Sequence, residues 1–274
     1  MKYGFVLPYG DAKKAADMAY EAEHAGWDGF FVWETVWGVD AWVSLTAAAM
    51  RTEKIRLGTM LSPISRMRPW KLASETATLD ILSNGRVILS VGLGALNTGF
   101  KEFGEVTSRV KRIGLVDEGI DILTGLWKGP PFTYEGKHYT ILETSFPSTI
   151  KPVQKPRIPI WMVGAWPRKK SMRRVLKCDG LLPTKMVGRK HVKVEPEDIR
   201  EIKSWIIENR TLKTPFDIII EGKTPVKERE NWHDTVSPYH EAGATWWIEA
   251  MWDLSSKDGD KPLLERIRAG PPIL

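Results

Sequence analysis

The sequence predicts a single (β/α)8 TIM barrel of the α/β class, one domain over residues 1–274. Three observations predict it. Strand-like apolar runs alternate with helix-like periodic segments from end to end, giving eight βα units. The strand runs are apolar on both faces, as a parallel sheet covered by helices requires. A length of 274 residues suits one closed barrel, and no linker divides the series.

Residues 3–7 form the first strand, closed by Pro8 and Gly10. Asp11 caps a helix with Ala12, Ala15, Ala16, Ala19 and Ala22 at helical spacing, and Gly26 stops it. Residues 29–33 are the second strand, 41–50 a helix, and 55–61 the third strand. Pro69, tolerated in a first helical turn, opens a helix to Leu82. Asn84 and Gly85 turn the chain into the fourth strand, 87–91. Ile113, Val116, Ile120, Leu123 and Trp127 then recur at steps of three and four. Residues 132–139, centred on Tyr-Glu-Gly-Lys, read as a hairpin.

The fifth strand is 158–163, followed by a basic helix from Lys169, and the sixth is 180–182. Pro196 opens a helix carrying Ile199, Ile202 and Ile206. Strand seven is 216–220, then a helix over 228–240, strand eight at 245–250 and a last helix at 262–267. Residues 22–34 and 239–253 echo one another as a helix end, a glycine stop and an aromatic-rich strand. Two equivalent units of one barrel would show this.

Composition narrows the function classes. The net charge is +6, from 40 Lys and Arg against 34 Asp and Glu, mostly interspersed with acids. No element presents a basic face with interleaved aromatics, so nucleic acid is not expected as a partner. The N-terminus turns polar too soon for a signal peptide, and no apolar run nears the ~20 residues of a membrane helix. A soluble, cytoplasmic protein is expected. The single cysteine, Cys178, excludes an internal disulfide framework and reads as a small core residue.

In a barrel, chemistry sits at the C-terminal ends of the strands. The sequence holds no HExxH, CxxC, P-loop or GxSxG, and none of its five histidines directly follows a strand. Neither a metal centre nor a histidine triad is expected. Gly92, Gly94 and Gly99 have the wrong spacing for a dinucleotide loop but would let a flat ligand approach the backbone. The run Arg168, Lys169, Lys170, Arg173, Arg174 and Lys177 reads as a solvated face or as an anion site. Of 13 tryptophans, Trp33, Trp37, Trp42, Trp70, Trp166 and Trp252 fall near strand ends. They read as core and rim packing, or as an apolar mouth that stacks on a ring system.

Residues 57–94 closely resemble the strand-three to strand-four region of luciferase-like flavin monooxygenases. So do residues 112–127, the hairpin centre 134–139, residues 152–164 and the tail LLERIRAGPP. The resemblance implies FMN, reduced by a separate reductase, or the deazaflavin coenzyme F420, in the barrel mouth. It implies a bulge after strand three, with Thr59, Met60 and Leu61 against the ring and a non-proline cis bond between Met60 and Leu61. Gly94 to Asn97 would lie beside the ring or ribityl chain. The phosphate would fall among Gly164, Ala165, Trp166, Arg168, Ser171 and Arg173, at the N-terminus of the basic helix, where free N–H groups attract an anion.

Glu34, with Trp33, takes the strand-two position of a proton-accepting or substrate-orienting group in that family, or it forms a structural ion pair. Many deazaflavin enzymes of the family pair an acid with histidine there, whereas here Glu34 is followed by Thr35. The leading expectation is thus an FMN-dependent monooxygenase using oxygen on a small, hydrophobic substrate, assembled as a homodimer. The alternatives are F420-dependent hydride transfer and a non-catalytic flavin-binding barrel.

Overall fold

Hydrogen bonding closes eight parallel strands into a ring. In a computed structural model describing residues 1–144, 150–188, 190–272 and 274, the ring runs β1 (Lys2–Leu7), β2 (Gly29–Val32), β3 (Arg56–Thr59), β4 (Val87–Val91), β7 (Ile160–Trp166), β8 (Gly180–Val187), β10 (Asp217–Gly222) and β11 (Trp246–Ala250). It is joined by β8 to β10, Asp217 opposite Gly180, and by β11 to β1, Lys2 opposite Trp246. Two hairpins depart from it: β5 (Phe132–Glu135) with β6 (Thr140–Thr144), and β9 (Lys190–Val192) folded back on β8.

The helices α1 (Ala12–His24), α2 (Ala41–Arg51), α3 (Pro69–Leu82), α4 (Arg109–Lys128), α5 (Lys169–Val175), α6 (Pro196–Asn209), α7 (Trp232–Ala242) and α8 (Lys261–Arg268) surround the ring. Their starts follow from local chemistry. Asp11 accepts the Lys14 N–H at 2.7 Å and Asp40 the Val43 N–H at 2.8 Å, each satisfying an orphan donor. Among the described residues, no helix is long and apolar enough to cross a membrane.

Side chains fill the barrel interior. Phe31 stacks on Trp161 with centroids 5.5 Å apart, and Trp161 meets Trp246 edge-on at 5.1 Å. The aromatic plug needs glycines around it. A Cβ on Gly180 would lie 2.4 Å from the Trp161 ring, and one on Gly4 2.7 Å from the Phe31 ring. Cys178 is fully buried, and burial pushes its thiol up to about 12, so it is an inert core residue.

The eight βα units predicted from the sequence are all present, and α3 and β4 have the predicted bounds. Three predictions are corrected. The sixth strand runs on past Pro183 to Val187, because its outer half pairs with the end of β7 and with β9. The first hairpin reaches Thr144 rather than ending at Tyr139. The helix expected over 228–240 is a 3-10 stretch, Val226–Asn231, followed by α7, with Glu228 at φ −118°, ψ 35°.

Candidate active site

The strand ends open onto a cavity of about 960 Å³, in the size range of small-molecule sites. One wall is apolar, made by Met60, Leu61 and Pro63 after β3, Leu93 after β4, Met162 and Val163 on β7, and Met186 on β8. Another part of the lining is cationic, made by Arg109 and Arg112 of α4 and by Arg168, Lys170, Arg173 and Arg174 in and before α5. The Met60–Leu61 peptide is cis, as the resemblance implied.

Glu34 sits where the apolar wall meets the loop after β2, its side chain 9% exposed. The buried Ser62 hydroxyl lies 2.5 Å from its Oε2, and the Arg66 guanidinium 3.6 Å from its Oε1. Burial is the largest influence and outweighs the Ser62 hydrogen bond and the Arg66 charge, raising the carboxyl from 4.5 to about 7. Arg66 is weakened as a counterion because its Nη2 also donates to the Thr35 carbonyl at 2.5 Å. Glu34 is therefore a group that gains and loses a proton near neutrality, as general acid–base chemistry requires.

Trp33 also lines the cavity, but its indole N–H donates to the Pro8 carbonyl at 2.7 Å. It offers a ring to a ligand, and its one proton is committed. The other strand-end tryptophans do not make the mouth. Trp42 is buried, Trp37 is 82% exposed, Trp252 donates to Glu221 at 2.9 Å, and Trp70 lines a separate groove with Trp127. The apolar wall is aliphatic and thioether instead.

The cationic wall is built in layers. The Arg112 guanidinium donates to the Leu93 and Gly94 carbonyls at 2.9 and 3.1 Å, fixing the loop after β4. Arg174 forks onto Asp117, with Nη2 to Oδ2 at 2.9 Å. Arg168 donates to the Gly188 carbonyl at 2.6 Å, tying down the tip of the β8–β9 hairpin. Arg109, Lys170 and Arg173 stand exposed at the rim. The Ser171 hydroxyl accepts the Ala165 N–H at 3.0 Å, which leaves its own proton for a ligand. α5 has only seven residues, so side chains rather than a helix dipole charge this wall.

Of the predicted binding residues, Met60, Leu61, Gly94, Ala165, Arg168, Ser171 and Arg173 line the cavity. Thr59, Asn97, Gly164 and Trp166 do not. Thr59 is buried behind the wall, and Asn97 is exposed and lies off the cavity, whereas Ala95 and Thr98 line it. Gly164 faces α5, since a Cβ there would lie 2.5 Å from Leu181 and 2.9 Å from Val175. Trp166 packs edge-on against Trp205, centroids 6.4 Å apart. Sequence reasoning missed Arg109 and Arg112, which the start of the α4 pattern carries in plain view. It also missed Met186 and His191, which reach the cavity on a hairpin with no sequence signal.

The cavity fits a flat ring with an anionic tail. An aliphatic wall beside small residues suits the ring, and the donors of Ser171, Arg168 and Arg173 suit a phosphate.

Comparisons with known proteins bear on the family and the fold. A family model described as luciferase-like monooxygenase matches residues 2–230. A Mycobacterium tuberculosis protein named as a coenzyme F420-dependent oxidoreductase is 32% identical over 195 residues, which is 67% of this chain and 55% of that protein. The chain thus spans little more than half the length of that curated relative. Among solved structures, the F420-dependent tetrahydromethanopterin reductase of Methanopyrus kandleri superposes with a TM-score of 0.72 at 18% identity, covering 90% of this chain and 92% of that one. The oxygenating constituent of 3,6-diketocamphane monooxygenase from Pseudomonas putida, in complex with FMN, gives 0.72 at 14% identity over 98% and 96%. These two likenesses concern the fold. A barrel of this architecture, matched by the family model over residues 2–230, belongs to the luciferase-like monooxygenase family.

Proposed function

We propose that the chain is an oxidoreductase using a flavin-type coenzyme, and that hydride transfer with coenzyme F420 on a small alcohol or carbonyl compound fits its site best. The observation that carries this reading is Glu34, a carboxyl held near neutrality at the cavity wall. Interconverting an alcohol and a carbonyl moves a hydride on carbon and a proton on oxygen. When bound, the coenzyme would supply the hydride donor or acceptor. Glu34 would take the hydroxyl proton on its carboxylate oxygen in the oxidative direction and return it to the carbonyl oxygen in reverse. Ser171, Arg168 and Arg173 would hold the coenzyme's phosphate, while Met60, Leu61 and Val163 exclude water from the ring's face.

This shifts the balance set by sequence alone, which favoured oxygen chemistry on FMN. The second reading stands on the same walls: an FMN-dependent monooxygenase needs the apolar cavity and the phosphate site, with reduced FMN supplied by a separate reductase. Anaerobic mixing with oxidised F420 and a set of small secondary alcohols separates the two. The proposal expects alcohol-dependent reduction of F420, lowered roughly 10²–10⁴-fold in Glu34→Gln, the range for loss of a general base. Turnover only with reduced FMN and oxygen would replace it with the second reading.

A further inference from the structure

Behind Glu34 lies a short chain of hydroxyl groups that neither reading requires. Ser62 and Thr59 are both fully buried. The Ser62 hydroxyl is 2.5 Å from Glu34 Oε2 and 3.1 Å from the Thr59 hydroxyl, and the Thr59 hydroxyl is 3.3 Å from the Ser90 carbonyl. The backbone holds this chain rigidly: the Ser62 N–H donates to the Ser90 carbonyl at 2.9 Å, and the Met60 N–H to the Val32 carbonyl at 2.7 Å. Each hydroxyl has one proton and two lone pairs, so the chain can be ordered in either direction.

We propose that Ser62 and Thr59 are positioning residues forming a reversible hydroxyl relay, which keeps Glu34 hydrogen-bonded and correctly oriented in both of its protonation states. With Glu34 protonated, its carboxyl donates to Ser62, Ser62 donates to Thr59, and Thr59 donates to the Ser90 carbonyl. With Glu34 ionised, Ser62 turns its proton toward the carboxylate and Thr59 keeps the Ser90 carbonyl. Neither the Glu34 carboxyl nor a hydroxyl proton of the chain is stranded in either state, which a carboxyl that cycles a proton at each turnover needs. The other charged groups around Glu34 are Arg66, which favours the carboxylate, and Asp40 and Glu75, which oppose it. None of these can serve both states.

The relay's use in turnover rests on Glu34 acting as the proton-exchanging group, while the relay itself needs only that Glu34 ionises, and the test separates the two ideas. Glu34 ionisation is followed directly by carboxyl-selective NMR of the protein labelled at its glutamate side chains, with Glu34→Gln identifying the resonance. Ser62→Ala removes a charge-assisted bond to the carboxylate, so the Glu34 midpoint rises by about one pH unit. Thr59→Val removes the acceptor that Ser62 needs only when Glu34 is protonated, so the midpoint falls by roughly half a unit. Thr59→Ser keeps the hydroxyl and restores the original midpoint. Shifts of opposite sign support the relay, because looser packing alone would move both variants the same way. Shifts of one sign, or none, overturn it. If the midpoints move as expected while the pH limb of turnover stays fixed, the relay stands and Glu34 is not the proton-exchanging group of the reaction.

Discussion

Glu34 shows how burial decides what a side chain does. In water its carboxyl would be ionised above pH 4.5; in the barrel mouth it holds its proton to about 7, because losing water costs more than Ser62 and Arg66 return. The same shift has a consequence for stability. A carboxyl whose folded value lies above its unfolded value favours folding below pH 4.5, and that contribution is lost as pH rises to about 7. Wild type is therefore expected to lose stability on the order of 3 kcal/mol relative to Glu34→Gln across this window. Urea unfolding at pH 4.5 and 7.5 measures it; a difference between the two proteins that does not change with pH would contradict the account. Glu34 itself was legible in the sequence as the residue after strand two, but the buried hydroxyls behind it were not. Ser62 and Thr59 resemble any polar residues at a strand end until β3 and β4 are brought side by side.

At the scale of elements, Gly164 separates two uses of glycine. Its position just before the basic helix suggested a backbone approached by a phosphate, yet its missing side chain makes room for α5 against β7 and β8. Gly164→Ala is expected to destabilise the fold by about 1–3 kcal/mol through overpacking while leaving coenzyme affinity within a few-fold. Chemical denaturation and a binding titration on the same variant check both halves. A stable variant with lost affinity would restore the phosphate reading.

The elements themselves were largely legible, because apolar period and caps such as Asp11, Asp40 and Pro69 are local signals. The β8–β9 hairpin was not. Pro183 reads as a strand stop, and only the neighbouring end of β7 shows that the strand continues. His191 and Met186 were hidden with it.

For the whole molecule, closure of the barrel gathers scattered sequence features into one cavity with an apolar and a cationic lining. The basic run after strand five read as a solvated helix face or an anion site; closure brings Arg168 and Arg173 into one cavity with Met60 and Leu61, joined by Arg109 and Arg112 of α4. Of the two readings of the tryptophans, packing prevails: many of their rings fill the barrel and the helix contacts, and among the described residues Trp33 is the tryptophan that lines the cavity.

The central claim is that an aliphatic wall and a cationic wall together hold a flat coenzyme by its ring and its phosphate. The most direct measurement is an anaerobic fluorescence titration of the purified chain with coenzyme F420, FMN and riboflavin, the last sharing the FMN ring but lacking the phosphate. The account predicts that a phosphate-bearing coenzyme binds at least about tenfold tighter than riboflavin, worth about 1.4 kcal/mol. It also predicts that Arg173→Ala or added salt narrows the gap. Riboflavin binding as tightly as FMN and F420, or binding of none of the three, would contradict it.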